Sequence, residues 1–355
     1  MYMYSSNQRR RPGKKTHEDL KNHWEGKWLE PGELSTLMIS SNVSRTHGNR
    51  FSLCLDFKKF NAFEEIEEYL RIAADENPER VKLLQIGRSH ENRSLTVLQI
   101  GHEGPALWID AGIHAREWIS VAVALKFIDQ LVKHGGPNVT FYIMPVVNPD
   151  GYSYSMTKER FWRKNRKAPQ CGDSSECCQG VDLNRNFDSN FKSSPGPCSD
   201  IHPGAFPFSE PETRAIRDFL THRNLKLFLT LHSYGQMLLL PRDIPFDHPT
   251  RLLALRASSV LKAVHGSEYV VGTSKEVFNS SSGGLAKDWA YEKLGVQYSY
   301  TIELRPESPR EEFSKICGTN LQCGFLVNPK EIEGTFEETW EAVQVMVKQI
   351  VFESY

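Results

Sequence analysis

The chain has 355 residues, 39% of them apolar, so it is long enough to bury the core of one large α/β domain. Its 43 basic and 44 acidic side chains give a net charge of −1, which excludes a strong overall field for attracting nucleic acid or anionic membrane. The sequence contains neither a run of about 18 apolar residues nor the apolar core of a secretory signal. These properties predict a soluble protein with no nucleic-acid partner and no transmembrane segment.

Residues 1–50 are polar, include the basic run RRRPGKK and show no sustained periodicity. This composition predicts a mobile amino-terminal extension, and the basic run is more typical of a solvated segment than of a polyanion site. Three origins remain open for the extension: a remnant of a pro-segment, a different extension or an altered transcript. We expect residues 51–355 to form one ordered domain.

From Leu55 onward, helical and strand patterns alternate. The stretch FEEIEEYLRIAADEN has helical spacing, and VKLLQIG, LTVLQIG and ALWIDAG are typical of short strands. ISVAVALKFIDQLVK then predicts a helix, TFYIMPVV a buried strand and NPDG a turn. A long loop is expected from about Tyr152 to Ser209, followed by a helix that opens with a capping box of Ser209 and Glu212.

The second half of the chain continues this alternation. Strands are predicted at LKLFLTLHS, QMLLLP, YVVG and YSYTIEL, and helices near residues 250–264, at residues 285–294 and from about Phe336. Strands that alternate with helices are typical of α/β proteins with buried strands. The sequence therefore predicts a single α/β domain with a mixed central β-sheet of about eight strands, flanked by helices on both faces.

Seven cysteines occur, six of them in two segments rich in Gly, Ser, Pro and Asn. None of the spacings is the paired CxxC of a zinc ribbon, so disulfides are favoured over structural zinc. Asn-x-Ser/Thr sequons begin at Asn42, Asn92, Asn138 and Asn279, which agrees with an extracytoplasmic location, although such triplets are common by chance. We therefore expect a secreted, extracellular protein.

The clearest candidate for chemistry is the stretch GIHAREW, which follows an apolar strand. His114 and Glu117 stand at the end of this strand, where ligands collect in open α/β sheets. Alone, this pair favours two satisfied polar side chains over a metal site. His232 ends another apolar strand, and it would face the same crevice if the two strands are neighbours. Two histidines and one carboxylate, with a fourth position open to water, form a catalytic zinc set.

The chain resembles the zinc metallocarboxypeptidases of the pancreatic carboxypeptidase A/B family over about residues 55–355. The matching motifs, in the family's order, are GIHAREW, NPDGY, FWRKNR, GVDLNRNF, FSEPET, LHSYG and YTIELR. This many motifs in one order are far more specific than any single one. The resemblance implies an exopeptidase that carries one Zn²⁺ per chain and hydrolyses the carboxyl-terminal bond of peptides and proteins. The protein is expected to be a monomer.

The family's metal ligands and base can be transferred to matching positions of this sequence. The resemblance implies zinc on His114, Glu117 and His232. It also implies a hydrogen bond between His114 and Asp182, which would fix the tautomer of the imidazole and raise its basicity. Glu303 matches the general base that takes a proton from the attacking water.

Four arginines and one asparagine match residues that contact the substrate. Arg166 matches the residue that polarises the scissile carbonyl and stabilises the tetrahedral oxyanion. Asn184 and Arg185 match the clamp for the free terminal carboxylate, a task for which a planar guanidinium is suited. Arg116 and Arg163 match outer subsite residues, with solvated surface arginines as the alternative.

The sequence departs from the family in the loop EVFNSSSGGLAKDW, which lacks the tyrosine that folds over bound substrate. Phe278 is placed to cover the pocket but cannot donate a hydrogen bond. Lys287 matches the base of the pocket for the terminal side chain, and in this it resembles carboxypeptidase O, in which a basic residue accompanies acidic substrates. A buried ammonium needs a partner, so we expect a preference for carboxyl-terminal Glu or Asp. The alternative is that Lys287 reaches solvent and leaves a broad apolar pocket.

The resemblance also implies a Cys178–Cys198 disulfide in the long loop. Further pairs are expected between Cys171 and Cys177 and between Cys317 and Cys323, which leaves Cys54 over. Two functions of different classes remain: an active zinc carboxypeptidase, and a peptide-binding or scaffold protein that keeps the fold without turnover. The presence of all three zinc ligands and the base favours the enzyme.

Overall fold

The computed structural model of the protein describes residues 55–136, 138–171, 177–307 and 321–354. The expected extension at residues 1–50 lies outside these ranges, as do Cys54 and Cys317. Within them, no helix combines the length and apolar character that a membrane span requires.

Helices and strands alternate along the described chain. The strands are β1 (Val81–Arg88), β2 (Ser94–Ile100), β3 (Ala106–Ala111), β4 (Thr140–Met144), β5 (Gln170–Cys171), β6 (Cys177–Cys178), β7 (Leu225–Gly235), β8 (Met237–Leu240), β9 (Val270–Thr273) and β10 (Tyr298–Glu307). The α-helices are α1 (Phe63–Glu76), α2 (Trp118–His134), α3 (Pro149–Thr157), α4 (Pro211–Leu220), α5 (Pro249–His265), α6 (Ser274–Phe278), α7 (Ala286–Leu294) and α8 (Glu331–Glu353). Helix α8 begins before its predicted start at Phe336. Short 3₁₀ turns occupy Leu183–Arg185 and Leu321–Phe325.

The central sheet has eight strands in the order β1-β2-β4-β3-β7-β10-β8-β9. Its middle strands β4, β3, β7 and β10 run parallel to one another. Strand β2 is antiparallel to β4 on one side, and β8 is antiparallel to β10 on the other. This arrangement confirms the mixed eight-stranded sheet that the sequence predicts. The parallel strands end at one edge, where the candidate residues collect.

The sheet is covered on both faces. Successive side chains of a strand point to opposite faces, so Leu107 and Ile109 of β3 enter one apolar cluster while Trp108 enters the other. Helices α1, α2, α5 and α8 contribute to the first cluster, and α4 and α7 contribute to the second. Burial on both faces explains why the central strands are continuous apolar runs rather than alternating ones.

The predicted turn at NPDG is wrong, because this stretch begins helix α3. The side chain of Asn148 accepts a hydrogen bond from the backbone N–H of Gly151 at 2.9 Å, and Pro149 occupies the first helical turn. Asparagine at the N-cap followed by proline is a helix-start signal, since proline has no N–H to leave unsatisfied there. The long loop therefore begins after Thr157 instead of at Tyr152.

The predicted capping box of Ser209 and Glu212 does not form. Helix α4 has Glu210 as its N-cap residue, without a side-chain cap. The hydroxyl of Ser209 instead donates to the Glu210 carboxylate at 2.7 Å, and the Glu212 carboxylate accepts from Asn165 Nδ2 at 3.1 Å. Other partners, one adjacent in sequence and one from a distant segment, thus replace the hydrogen bonds that the motif offers.

Disulfides cross-link the long loop as predicted. Cys171 is bonded to Cys177, and Cys178 is bonded to Cys198. Cys323 is also disulfide-bonded. The expected partner of Cys323, Cys317, lies outside the described residues.

Candidate active site

Two predicted metal ligands lie in the turn between β3 and α2. Gly112 turns the chain with a φ of 64°, a conformation that costs glycine little, and a Cβ there would lie 2.8 Å from Val121 Cγ2. Glu117 then stands at the N-cap of α2. The short turn brings the two side chains together, with His114 Nδ1 2.7 Å from Glu117 Oε1.

The third predicted ligand comes from the neighbouring strand. Strands β3 and β7 are parallel neighbours in the sheet. His232 therefore faces the same crevice as His114 and Glu117, as the sequence predicts for neighbouring strands. His232 Nδ1 lies 3.1 Å from His114 Nδ1 and 3.1 Å from Glu117 Oε2. On the other side of β7, the register of β10 places Glu303 directly beside His232.

The residues of this cluster fit a zinc ion. The ligand atoms of His114, Glu117 and His232 lie within 4.8 Å of one another, and all three side chains are buried. Two imidazole nitrogens and a carboxylate oxygen are a donor set that zinc prefers. His114 Nε2 lies 3.1 Å from Asp182 Oδ1, the hydrogen bond by which a carboxylate orients a metal-binding imidazole. The backbone N–H of Ser233 donates to Glu117 Oε2 at 3.1 Å, which holds that carboxylate in place.

The surrounding positive charges keep the carboxylates of Glu117 and Asp182 ionised. Burial opposes the charge on Glu117, but the imidazoles of His114 and His232 lower its pKa far below the usual value. Burial also opposes the charge on Asp182, and Arg163 and His114 nevertheless hold its pKa well below the usual value. Burial and Arg163 together lower the pKa of His114, which favours the neutral ring that binds metal.

Glu303 differs from these two carboxylates in its environment. Burial raises its pKa to about 7, against the opposing effect of His232. A carboxyl group whose pKa lies near neutrality can both accept and return a proton at neutral pH. Its position beside His232 places this group next to the metal ligands.

A cavity of about 510 Å³ opens beside the cluster. Its volume is within the range of small-ligand sites. The predicted residues that share its wall are His114, Glu117, Arg163, Asn184, Arg185, Lys287, Glu303 and Phe278. The fold thus brings together most of the residues that the sequence singles out.

The structure does not bring Arg166 to this cavity, which corrects the expectation that it faces the scissile carbonyl. Its guanidinium lies over the rings of Tyr154 and Trp162, with Cζ at 3.6 and 4.6 Å from their centroids. Its Nε is 3.8 Å from a carboxylate oxygen of Glu91. Among the described residues, the arginine of FWRKNR that lines the cavity is Arg163.

Arg163 reaches the cavity because its backbone is hydrogen-bonded to the turn between β3 and α2, which carries His114 and Glu117. Its carbonyl accepts from the N–H of Ala115 at 3.1 Å, while the N–H of Asn165 donates to the carbonyl of Val181. From there its Nε and Nη2 donate to Asp182 Oδ2 at 3.0 and 2.9 Å. The side chain is only 12% exposed, so Arg163 is not a solvated surface arginine.

The side chain of Arg116 is also mostly buried rather than solvated. Its side chain is 12% exposed, donates to Asp200 Oδ2 at 3.3 Å and lies 4.5 Å above the ring of Phe325. Phe325 and Tyr234 pack edge to face and both line the cavity, although sequence reasoning assigned neither to the site. Tyr234 lies within the motif LHSYG and could have been found there. Phe325 lies in none of the motifs that the sequence offers.

Asn184 and Arg185 lie in the 3₁₀ turn, and hydrogen bonds position their side chains. The side-chain oxygen of Asn184 accepts from the N–H of Ala286 at 3.0 Å, and its Nδ2 lies 3.4 Å from His232 Nε2. Arg185 Nη1 donates to the Asn184 carbonyl at 2.7 Å. This bond occupies one nitrogen of the Arg185 guanidinium, which also lines the cavity.

Lys287 lies on the cavity wall but already has an ionic partner. The side chain is 2% exposed, so it does not reach solvent, and Nζ lies 2.7 Å from Asp288 Oδ1. This corrects the expectation that its ammonium depends on the substrate for a counter-charge. Asp288 Oδ1 also accepts from the backbone N–H of Arg242 at 3.0 Å. Burial lowers the pKa of Lys287, and Asp288 offsets part of that effect.

Comparisons with known proteins identify relatives over most of the chain. A family model described as zinc carboxypeptidase matches residues 66–342. Carboxypeptidase A2 of Mus musculus is 38% identical over 329 residues, which cover 87% of this chain and 73% of that protein. Carboxypeptidase B of Astacus astacus is 37% identical over 311 residues, which cover 82% and 97%. A structure of bovine thrombin-activatable fibrinolysis inhibitor in complex with tick carboxypeptidase inhibitor aligns with a TM-score of 0.73 and 35% identity, over 84% of this chain and 99% of that one.

Proposed function

The chain belongs to the zinc carboxypeptidase family, and we propose that this metallocarboxypeptidase preferentially releases acidic residues from the carboxyl termini of peptides and proteins. The observation that carries the preference is the buried ammonium of Lys287 on the wall of the cavity that also holds Glu303. The remaining residues of the cavity supply the parts that an exopeptidase needs.

His114, Glu117 and His232 would hold the zinc ion. Bound zinc polarises a carbonyl oxygen and lowers the pKa of water, which supplies the Lewis-acid chemistry of peptide hydrolysis. Glu303 accepts the proton of the attacking water and returns it to the departing amine. Its pKa of about 7 suits both steps, because the group is neither a weak acceptor nor a weak donor at neutral pH.

Arg163 takes the role that the sequence assigned to Arg166. Negative charge develops on the carbonyl oxygen when water adds, and a fixed cation beside it stabilises the transition state. Arg163 is a suitable cation because two hydrogen bonds to Asp182 hold its guanidinium in a single position on the cavity wall. A preorganised guanidinium stabilises the new charge without first having to reorient.

Asn184 and Arg185 would bind the free carboxylate of the substrate. Both line the cavity, and a guanidinium matches a carboxylate through two parallel N–H donors. An internal peptide bond offers no such carboxylate, so this contact confines hydrolysis to the last residue. The restriction to the last residue therefore depends on Asn184 and Arg185, whereas the hydrolysis itself depends on the metal.

The preference for an acidic terminal residue follows from how Lys287 is paired. An ammonium has three donors, and among the described residues Asp288 is the acceptor that its Nζ contacts. Asp288 Oδ1 also accepts from the backbone N–H of Arg242 at 3.0 Å, so its charge is shared between two donors. A terminal Glu or Asp side chain would add the second carboxylate that the buried ammonium accommodates. Hydrogen bonds to charged groups contribute roughly 1.5–3 kcal/mol.

Peptides that differ only in the last residue test this preference. We expect kcat/KM for a terminal Glu to exceed that for Gln by roughly tenfold to a hundredfold, as one charge-assisted hydrogen bond implies. In Lys287→Met this ratio should fall close to one, while the exposed-lysine control Lys275→Met keeps it. Faster release of Phe or Leu than of Glu by the wild-type enzyme would refute the acidic preference. Bound zinc without release of any residue would instead favour a peptide-binding relative.

A further inference from the structure

The exposed loop after α6 carries an Asn-x-Ser sequon at the rim of the cavity. Asn279, Ser280 and Ser281 form this triplet, and all three residues are exposed. Phe278 and Ser280, the residues on either side of Asn279, both line the cavity. We propose that Asn279 is an N-glycosylation site whose glycan restricts the access of folded proteins to the active site.

The backbone leaves the side chain of Asn279 available for modification. Asn279 is the C-cap of α6 with a φ of 52°, a left-handed conformation that asparagine tolerates. Among the described residues, none hydrogen-bonds its side-chain amide.

Two other described sequons provide an internal comparison. Asn92 lies in the turn between β1 and β2, is exposed and has a similar left-handed φ of 66°. Asn138 is exposed in the segment before β4. Neither residue belongs to the cavity wall, and neither do the described residues adjacent to them in sequence. A glycan at Asn279 is therefore the one in this set that would stand beside the active site.

The modification takes place in a compartment of the secretory pathway. There the amide nitrogen of Asn279 displaces the pyrophosphate of a lipid-linked oligosaccharide. A bond forms between that nitrogen and the anomeric carbon, the carbon–oxygen bond to the pyrophosphate breaks, and the amide gives up a proton. The Cys171–Cys177 and Cys178–Cys198 disulfides support residence in such a compartment.

An N-glycan is a bulky, hydrated surface group. At the rim it would leave room for a narrow peptide chain but collide with a folded domain whose terminus must reach the cavity. This consequence rests on the carboxypeptidase activity proposed above, whereas occupancy of the site does not. The glycan would thus bias the enzyme towards peptides.

Substitutions of Ser281 test the proposal without changing Asn279. Ser281→Ala removes the sequon, and Ser281→Thr keeps it. The protein is recovered from the medium of eukaryotic cells that express its full-length transcript, and a glycosidase that converts glycosylated Asn to Asp is applied before peptide mapping. We expect conversion at position 279 in the wild type and in Ser281→Thr, and none in Ser281→Ala.

The second readout compares a short peptide with a folded protein that ends in the same sequence. Ser281→Ala should raise kcat/KM for the protein several-fold and leave that for the peptide unchanged, while Asn92→Gln changes neither. An unmodified Asn279 in the secreted protein, or retention of the protein inside cells, would refute the proposal that Asn279 is glycosylated. A modified Asn279 with the same protein-to-peptide ratio in Ser281→Ala overturns the access role. Glycosylation of Asn279 is measured by mass spectrometry of peptides. The result is therefore independent of whether the protein has the proposed carboxypeptidase activity.

Discussion

Two clusters of histidine and glutamate in the described part of the chain have nearly the same composition and different surroundings. They consist of His114, Glu117 and His232, and of His90, Glu210 and Glu212; in each, the potential ligand atoms lie within 4.8 Å of one another. In the first cluster, Glu117 faces the two imidazoles and the backbone N–H of Ser233. The carboxylate and the two imidazoles offer their ligand atoms close together, which suits a cation.

The second cluster supplies its own cation. Glu210 accepts from Lys167 Nζ at 2.9 Å, from Asn165 Nδ2 at 2.9 Å and from His90 Nε2 at 2.8 Å. Burial opposes the charge of Glu210, and these hydrogen bonds nevertheless lower its pKa to about 2. Glu212 shares Asn165 but is not paired with the lysine, and burial raises its pKa to about 7. The comparison teaches that ligand type alone does not make a metal site, since donors already present can occupy the same lone pairs.

The largest expected effect is the loss of zinc from the first cluster. His114→Ala removes one of three ligands, so the zinc content should fall from one ion per chain to almost none in elemental analysis. His90→Ala is the matched change in the second cluster and should leave the zinc content unchanged. Full retention of zinc in His114→Ala, or its loss from His90→Ala, would contradict the comparison.

The next effect separates a base from a merely buried carboxyl group. Burial raises the pKa of both Glu303 and Glu212 to about 7, but only the former lines the cavity. Glu303→Gln should lower kcat by about 10²–10⁴-fold, the contribution of a general base, while zinc stays bound. Glu212→Gln should leave kcat for a short peptide near the wild-type value. Retained turnover in Glu303→Gln would place the base elsewhere.

A smaller effect concerns stability in the second cluster. Lys167→Met leaves the fully buried Glu210 without its lysine partner, so the free energy of unfolding at pH 7 should fall by about 2–3 kcal/mol in urea titrations. This is below the range for fully buried pairs because Lys167 is 21% exposed. Lys133→Met breaks an exposed pair with Asp129 and should cost less than about 1 kcal/mol. Equal losses in the two variants would show that the second cluster does not need its cation.

The smallest expected effect is a pH dependence. Because the pKa of Glu212 is raised from 4.5 to about 7 on folding, the folded protein holds this proton more tightly than the unfolded chain. The stability that this contributes is fully present below pH 4.5 and is lost as the pH rises through 7. Glu212→Gln stays neutral, so its stability relative to the wild type should rise by about 1–2 kcal/mol between pH 5 and pH 8. A constant difference between the two proteins across this interval would refute the raised pKa.

Much of the fold could be predicted because the central strands are buried on both faces. Continuous apolar runs such as ALWIDA and LKLFLTL leave little choice of structure, and their order along the chain predicts an α/β sheet. Helix α3 was missed because NPDG matches a turn as well as a helix start, and only the bond between Asn148 and Gly151 decides between them.

The arginines and the lysine of the site show where motif matching fails. Arg163 and Arg166 are three residues apart in an irregular segment, where no periodicity relates spacing to direction. Arg163 is hydrogen-bonded through its backbone to Ala115, and Asn165 to Val181. These bonds fix the path of the segment, in which Arg163 faces the cavity and Arg166 does not. Lys287 was expected to find its counter-charge in the substrate, yet its long side chain reaches Asp288, the next residue in the chain.

By itself, the sequence singled out His114, Glu117 and His232 as candidate zinc ligands, because they follow or end apolar runs and match motifs of the zinc carboxypeptidases. Only the tertiary structure decided which His and Glu cluster remains open to a metal. His90 and Glu210 lie far apart in the chain, and the lysine and asparagine that occupy the second cluster come from a third segment. Whether a lone pair is free depends on such distant donors, and burial makes each of those hydrogen bonds costly to break.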